Sequence, residues 1–302
     1  MTTVGNTAHF TVQFDETSTP DGNVLGQALL ATCEADNAHL SSIFGGINLP
    51  QVTVTVDDGP GGQNDFHNIT HCGSSGSTGD FDYLRNTFIA ELDEIYMVAQ
   101  NKQWNPGDSK GEALSRALGG LFYPGGQQPG FTVHQWVDAL PGIKLAPTPP
   151  FQGLQDWVNN VFSGDNTTRG DNDSGSIGCG QAFINYLHYQ LGFTFSKIVG
   201  TSGSTLAEVY TILTGSADGF GPFAAVVRKR FPQGVPSGLN ATNKSPNSDS
   251  FFPLASDKRL SVKRYLNGRG LSGSVPLLAL VKAAEAKTLK GLVNTARDSA
   301  LV

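Results

Sequence analysis

The sequence predicts an α+β protein: a small N-terminal sheet packed on a mainly helical body, followed by a C-terminal helical tail. Three observations predict it. Residues 8–14 and 52–56 alternate apolar and polar side chains, the period of half-buried strands. Phe81, Leu84, Phe88, Leu92, Ile95 and Ala99 instead recur at helical spacing, and further helical patterns come after them. Finally, residues 258–302 hold nine Lys/Arg against Glu285 and Asp298, a charge of +7, so within a net charge of −6 the first 257 residues carry −13.

Composition narrows the class. The 302 residues suffice for one large domain or two small ones. Only 15% are charged, below the ~25% usual for soluble domains, and 37 are Gly. With 18 Phe and 7 Tyr the chain has ample apolar surface for a core, so this is a loop-rich folded protein rather than a disordered one. The acidic body argues against nucleic-acid binding. No apolar run approaches the length of a membrane span. The N-terminus MTTVGNTAHF has neither a basic nor an apolar leader region, so no signal peptide is read, and the compartment stays open. Cys33, Cys72 and Cys179 do not make a disulfide scaffold; a Cys33–Cys72 bridge and three free thiols are both allowed.

Strand and helix signals alternate along the chain. In residues 8–14, Phe10, Val12 and Phe14 face one way, His9, Thr11 and Gln13 the other. A helix is expected over 24–44, with Leu25, Leu29, Cys33, Leu40 and Phe44 on its buried face and Gly45-Gly46 at its end. Val52, Val54 and Val56 mark the second strand, and Asp57–Gly79, rich in Gly, Ser and Asp, reads as a loop. The helix at 81–101 ends before the Asn105-Pro106-Gly107-Asp108 turn, and a shorter one runs from Lys110 to Leu121. Residues 123–150 read as extended, 152–162 as a short helix around Trp157, and 163–177 as a polar loop. Helices are expected at 178–192, 204–214 and 219–231. Residues 1–231 thus form one α+β domain, the Pro/Ser/Asn-rich 232–257 a linker, and 258–302 a basic tail with helices at 260–268 and 275–298.

The order strand, helix, strand, loop, long helix, short helix resembles that of zincin-like metallopeptidases of the gluzincin type over residues 8–231. In that family the long helix carries H-E-x-x-H: two His bind zinc, the Glu activates the bound water, and a Glu on the next helix is the third ligand. Here the corresponding stretch reads Ala90-Glu91-Leu92-Asp93-Glu94. Ala90 falls at the first His, Glu91 at the general base and Glu94 at the second His. Glu112, in Gly111-Glu112-Ala113-Leu114-Ser115-Arg116, falls close to the third ligand. The chain is also similar to a group of bacterial proteins with an A-E-x-x-E helix, a G-E-x-L-S-R helix and a G-C-x-x-x-F-x-N-Y-L helix. The last is matched here by Gly178, Cys179, Phe183, Asn185, Tyr186 and Leu187.

The departures matter for chemistry. Ala90 binds no metal. Glu94 and Glu112 alone make an oxygen-only set that suits Ca²⁺, Mg²⁺ or Mn²⁺ better than zinc, and then only with more oxygens. Glu91 falls within the apolar stripe, about 60° from Phe88 on the helical wheel, and a buried carboxylate needs a partner or a proton. It is either a retained general base or a structural carboxylate pairing with a neighbour such as Arg116. Asp93 points away from the stripe and is expected in solvent.

Other candidates are weaker. His67, His71 and Cys72 are the ligands if the loop binds a metal, but four-residue spacing fixes nothing outside a helix. Asp165, Asp171 and Asp173 fail the EF-hand pattern. The Gly-rich stretches lack the phosphate-binding signature, and Gly200–Thr205 reads as a helix-capping loop. Trp104, Trp136, Trp157, Tyr123 and Tyr186 suit a core better than a sugar or peptide cleft. Arg116, Asn185 and Tyr186 are the candidate binding residues.

The sequence therefore predicts a non-catalytic zincin-like protein with a binding or assembly role and no resident cofactor, although a divalent metal remains open. The alternatives are a metal-dependent hydrolase with Glu91 as base and Glu94 and Glu112 as ligands, and a self-assembling structural protein. The expected partner is a protein or a second copy, engaged through the basic tail, with neither nucleic acid nor membrane.

Overall fold

A computed structural model describes residues 1–74, 81–123, 126, 174–219, 221–223 and 225–226. The expectations for most of 123–150, for 152–162, for most of 163–177, for the linker and for the basic tail lie outside these residues.

Strands β1 (Thr2–Asn6), β2 (Phe10–Phe14), β3 (Val52–Asp57), β4 (Gly62–Asn64) and β5 (Ile69–Gly73) form one sheet in the order β1-β2-β3-β5-β4. The middle three run parallel, and β1 and β4 lie antiparallel at the two edges. Alternation works as the sequence predicts in β2 and β3. Phe10, Val12, Phe14, Val52, Val54 and Val56 are all buried, while Thr11, Gln13, Thr53 and Thr55 are half-buried.

The loop expected over Asp57–Gly79 instead holds β4 and β5. The pairing register slips between Val54–Ile69 and Val56–Cys72, a bulge that sends both Ile69 and Cys72 inward and erases the period-two pattern. The edge strand β1 was hidden for a related reason: its register also shifts, and its burial does not alternate.

The helix expected over 24–44 is two, α1 (Gly22–Leu30) and α2 (Cys33–Ile43). Thr32 leaves helical geometry at φ −127°, and its N–H returns to Leu29 O (3.0 Å). Gly45 and Gly46 then both adopt φ +83°, which a side chain would strain, and α2 ends there. Helices α3 (Asp82–Gln100) and α4 (Ser109–Phe122) lie where the periodicity puts them. Helix α5 (Ser174–Asn185) starts earlier than expected, inside the stretch read as loop, and continues as a π-helical turn over Tyr186–Gln190. Then come α6 (Phe195–Val199) and α7 (Leu206–Thr214). Of the helix expected at 219–231, residues 221–223 and 225–226 are described and helical. The three cysteines are buried free thiols. No described helix is long and apolar enough to cross a membrane.

Sheet and helices pack in layers. Helix α1 lies on β1–β3, α3 on β4 and β5, α4 on α3, and α5 on α4. Phe88 of α3 meets Phe10 of β2 edge-on at 5.3 Å, and Tyr96 stacks on Phe44 at the same distance. Lying between sheet and helix, α3 is buried without interruption from Asn86 to Met97.

Lys110, at the start of α4, ties two loops to this body. It is 2% exposed; its Nζ donates to Gln103 O (2.7 Å) and to Gly203 O, and lies 4.4 Å from the Trp104 ring centroid. Burial lowers its pKa to about 8. Replacing it with Ala strands two carbonyls, so Lys110→Ala is expected to cost about 2–4 kcal/mol in urea unfolding. A loss under about 0.5 kcal/mol would rule out this role.

Candidate functional site: a buried carboxylate cluster

Helix α3 presents Glu91, Asp93 and Glu94; α4 presents Glu112, Ser115 and Arg116; β4 presents Gly62 and Asn64. The carboxylates are 6%, 0%, 7% and 8% exposed for Glu91, Asp93, Glu94 and Glu112. Asp93, expected in solvent, is fully buried. A single-stripe reading of the helix fails here because α3 has the sheet on one side and α4 on the other.

Asn64 is the link between strand and helix. Its Nδ2 donates to Glu91 Oε2 (2.8 Å) and to Glu94 Oε2 (2.6 Å). The amide's orientation is set by its other end, because Asn64 Oδ1 accepts from Phe66 N (3.0 Å) in the turn after β4. The neighbouring Gly62 has a steric role. A Cβ there would collide with the Glu91 carboxylate, so the strand backbone lies directly against that side chain.

On the far side, Ser115 Oγ lies 2.9 Å from Asp93 Oδ1, 3.2 Å from Glu94 Oε1 and 3.3 Å from Gly111 O. One hydroxyl hydrogen faces three oxygens, so a proton on Asp93 or Glu94 completes the set. The electrostatics agree. Burial pushes Glu91 up to about 7, against the opposing effects of the Asn64 hydrogen bond and the Arg116 charge. Asp93 is pushed well up by burial, although Ser115 opposes it. Glu94 is pushed well up by burial and then by the charges of Glu112, Glu91 and Asp93. Arg116 Nη2 meets Glu112 Oε2 at 3.4 Å, and the Arg116 carbonyl accepts from Gln181 Nε2 of α5 (3.1 Å). Arg116, expected as a structural partner of Glu91, forms the ion pair with Glu112, while Glu91 feels its charge.

The Glu112 charge acts on both Glu91 and Glu94, and Arg116 lies beside Glu112. The metal candidates His67, His71 and Cys72 do not come together. His67 is exposed in the β4–β5 turn, with its Nδ1 3.2 Å from Asp65 O. His71 Nε2 lies 3.1 Å from Pro60 O. Cys72 turns inward across the bulge, its Sγ donating to Leu84 O (3.7 Å). Burial, then the Glu91 charge, raises its thiol well above the ordinary range. Tyr186 belongs to an aromatic core with Phe183 and Phe223, each 5.7 Å away, and Asn185 is fully buried beside it in α5. Asn64, Ser115 and Gly62 were missed by the sequence reading. Asn64 and Gly62 lie in the stretch read as loop, while Ser115 stands in the G-E-x-L-S-R stretch, one turn after Glu112, with nothing there to give it a role.

A zinc cage does not fit these residues. Ala90 stands where the resemblance expects the first ligand, the cluster offers no imidazole, the facing oxygens of Glu91 and Glu94 are taken by Asn64, and Glu112 is taken by Arg116. Among the described residues, no group of three or more His, Cys, Asp or Glu is arranged to hold a metal ion. Compared with models of known protein families, with curated proteins and with solved structures, the chain has no match.

The raised carboxyl of Glu91 sets a pH dependence. Its folded pKa of about 7 exceeds its ordinary 4.5, so its contribution to stability is complete below about 4.5 and lost as pH rises through about 7. Asp93 and Glu94 shift in the same direction. Denaturation at pH 5 and pH 8 should show stability falling with pH, and Glu91→Gln should shrink that fall by on the order of 1–3 kcal/mol. An unchanged fall in the variant contradicts the burial of a titrating Glu91. Gly62→Ala should cost about 1–3 kcal/mol, and less than half of that in a Glu91→Ala background. Additive costs in this cycle would show that Gly62 and Glu91 do not touch.

Proposed function

We propose that this chain is a non-catalytic zincin-like protein whose edge strand β4 binds an extended segment of another protein. The single observation that carries the reading is the Asn64 amide seated on both Glu91 and Glu94. It ties the two positions that match the general base and second ligand of a gluzincin into an internal hydrogen-bond network. Support for the scaffold comes from the convergence of those positions with Glu112 beneath an antiparallel edge strand. Support for binding comes from β4 itself: among the described residues no strand lies beyond it, and an edge strand is a template for a visiting extended chain.

A second reading has one observation in its favour. Glu91 is held at about 7, the range in which a carboxylate serves as a general base near neutral pH. In that reading the chain is a hydrolase with Glu91 as base. The donors around Glu94 and Glu112 give no support to their roles as metal ligands.

Both readings meet one experiment. Unfolded casein and short extended peptides are added to full-length protein, with hydrolysis followed by mass spectrometry and the amides of Gly62–Asn64 followed by NMR. Shifts at those amides without turnover are expected. Peptide turnover that Glu91→Gln abolishes would establish the hydrolase, and silent β4 amides with every peptide would remove the proposed edge-strand site.

A further inference from the structure

We propose that Phe66 is the anchor of the β4 site, a ring held out in the β4–β5 turn on which an aromatic or large aliphatic side chain of the visiting segment packs. The proposal rests on the edge-strand reading of β4 and names the kind of segment that strand takes. Two features of Phe66 point there. Its φ of +68° lies in the left-handed region, where a bulky side chain is strained. Among the described residues, the chain meets the same demand with Gly at 45, 46, 61, 107, 192 and 215, and the other two exceptions, Asn101 and Gln103, are polar. Gly or Asn would suit the turn better than Phe. The ring also has no part in the core. It is 44% exposed, the one aromatic among the exposed large hydrophobics of the described residues, and it stands outside the apolar cluster. A single exposed apolar residue is ordinary, but one placed at a conformational cost and left out of the core is not.

The turn holds that ring rigidly. Phe66 N donates to Asn64 Oδ1 (3.0 Å), and the Asp65 carboxylate accepts from His67 N (2.9 Å) and Asn68 N (2.6 Å). Asn68 Oδ1 in turn accepts from Thr53 N of β3 (2.9 Å). Little backbone freedom is left to lose on binding. Strand β4 itself supplies no apolar grip. Gly62 has no side chain, Asn64 is committed to Glu91 and Glu94, and Gln63 is polar and exposed. Phe66 stands two residues past the end of the strand. That is no more than about 7 Å of chain, so a segment paired along Gly62–Asn64 reaches it with its next residues. An aromatic anchor beside main-chain pairing adds both affinity and choice of partner.

The test sets two probes against the full-length chain: a short Thr-rich peptide bearing one Phe, and the same peptide with Ala in its place. Binding is followed at the Gly62–Asn64 amides by NMR. The Phe peptide should bind roughly tenfold more tightly, and Phe66→Asn should bring the two within about twofold. Asn suits the left-handed turn, so this variant should melt about 2–4 °C above the parent. Equal binding of both peptides to the parent, or a preference that survives in Phe66→Asn, overturns the anchor and leaves the edge-strand reading standing. Amides of β4 that stay silent with both peptides remove that reading and the anchor with it. A lower melting temperature in Phe66→Asn assigns the ring to the fold and also overturns the proposal.

Discussion

The enclosure of α3 between the sheet and α4 governs the rest of this structure. A helix covered on one side has a face on which to place its charges. Helix α3 has none between Asn86 and Met97, yet that stretch includes Glu91, Asp93 and Glu94. Ionised and unpartnered, three such groups would cost more than the domain's whole margin of stability. The surrounding chain meets the cost with hydrogen-bond donors, a guanidinium and bound protons. Asn64 comes from the strand side, Ser115 and Arg116 from the helix side, and burial shifts Asp93 and Glu94 toward the protonated form.

The two sides differ in character. On the α4 side the contacts come from one regular helix, with Glu112, Ser115 and Arg116 on neighbouring turns. On the sheet side they come from a strand of three residues and a turn that depends on side-chain capping. Gly62 brings the strand backbone down onto Glu91, and Asn64 then fastens it. The edge strand is therefore held to the body through the acidic pocket as well as through its ladder with β5.

Legibility in the sequence tracked periodicity. Strand β3, with Val52, Val54 and Val56, and helices α3 and α4 could be read because their apolar spacing is regular. That spacing put Glu91, Glu94 and Glu112 on helices, and only the resemblance to gluzincins implied that the two helices face one another. Strand β5 was lost because a bulge puts Ile69 and Cys72 on the same face, and α1 and α2 were fused because their apolar residues continue through the break at Thr32. Asp93 was misplaced because a helical wheel shows one helix and not what covers it. Asn64 could not be found at all: nothing in a Gly/Asn-rich stretch says which amide will reach a helix 27 residues further along the chain.

Brevity at β4 has a further consequence. A partner strand laid along three residues gains only two or three ladder hydrogen bonds, against the cost of ordering its own backbone. Main-chain pairing alone would leave such an encounter short-lived. Any lasting grip must come from side chains that find pockets to either side, so discrimination among visitors would reside in their sequence rather than in their extended shape. The same stubby margin gives unrelated chains little rail on which to stack, which guards a protein of low charge density against clumping with its own copies.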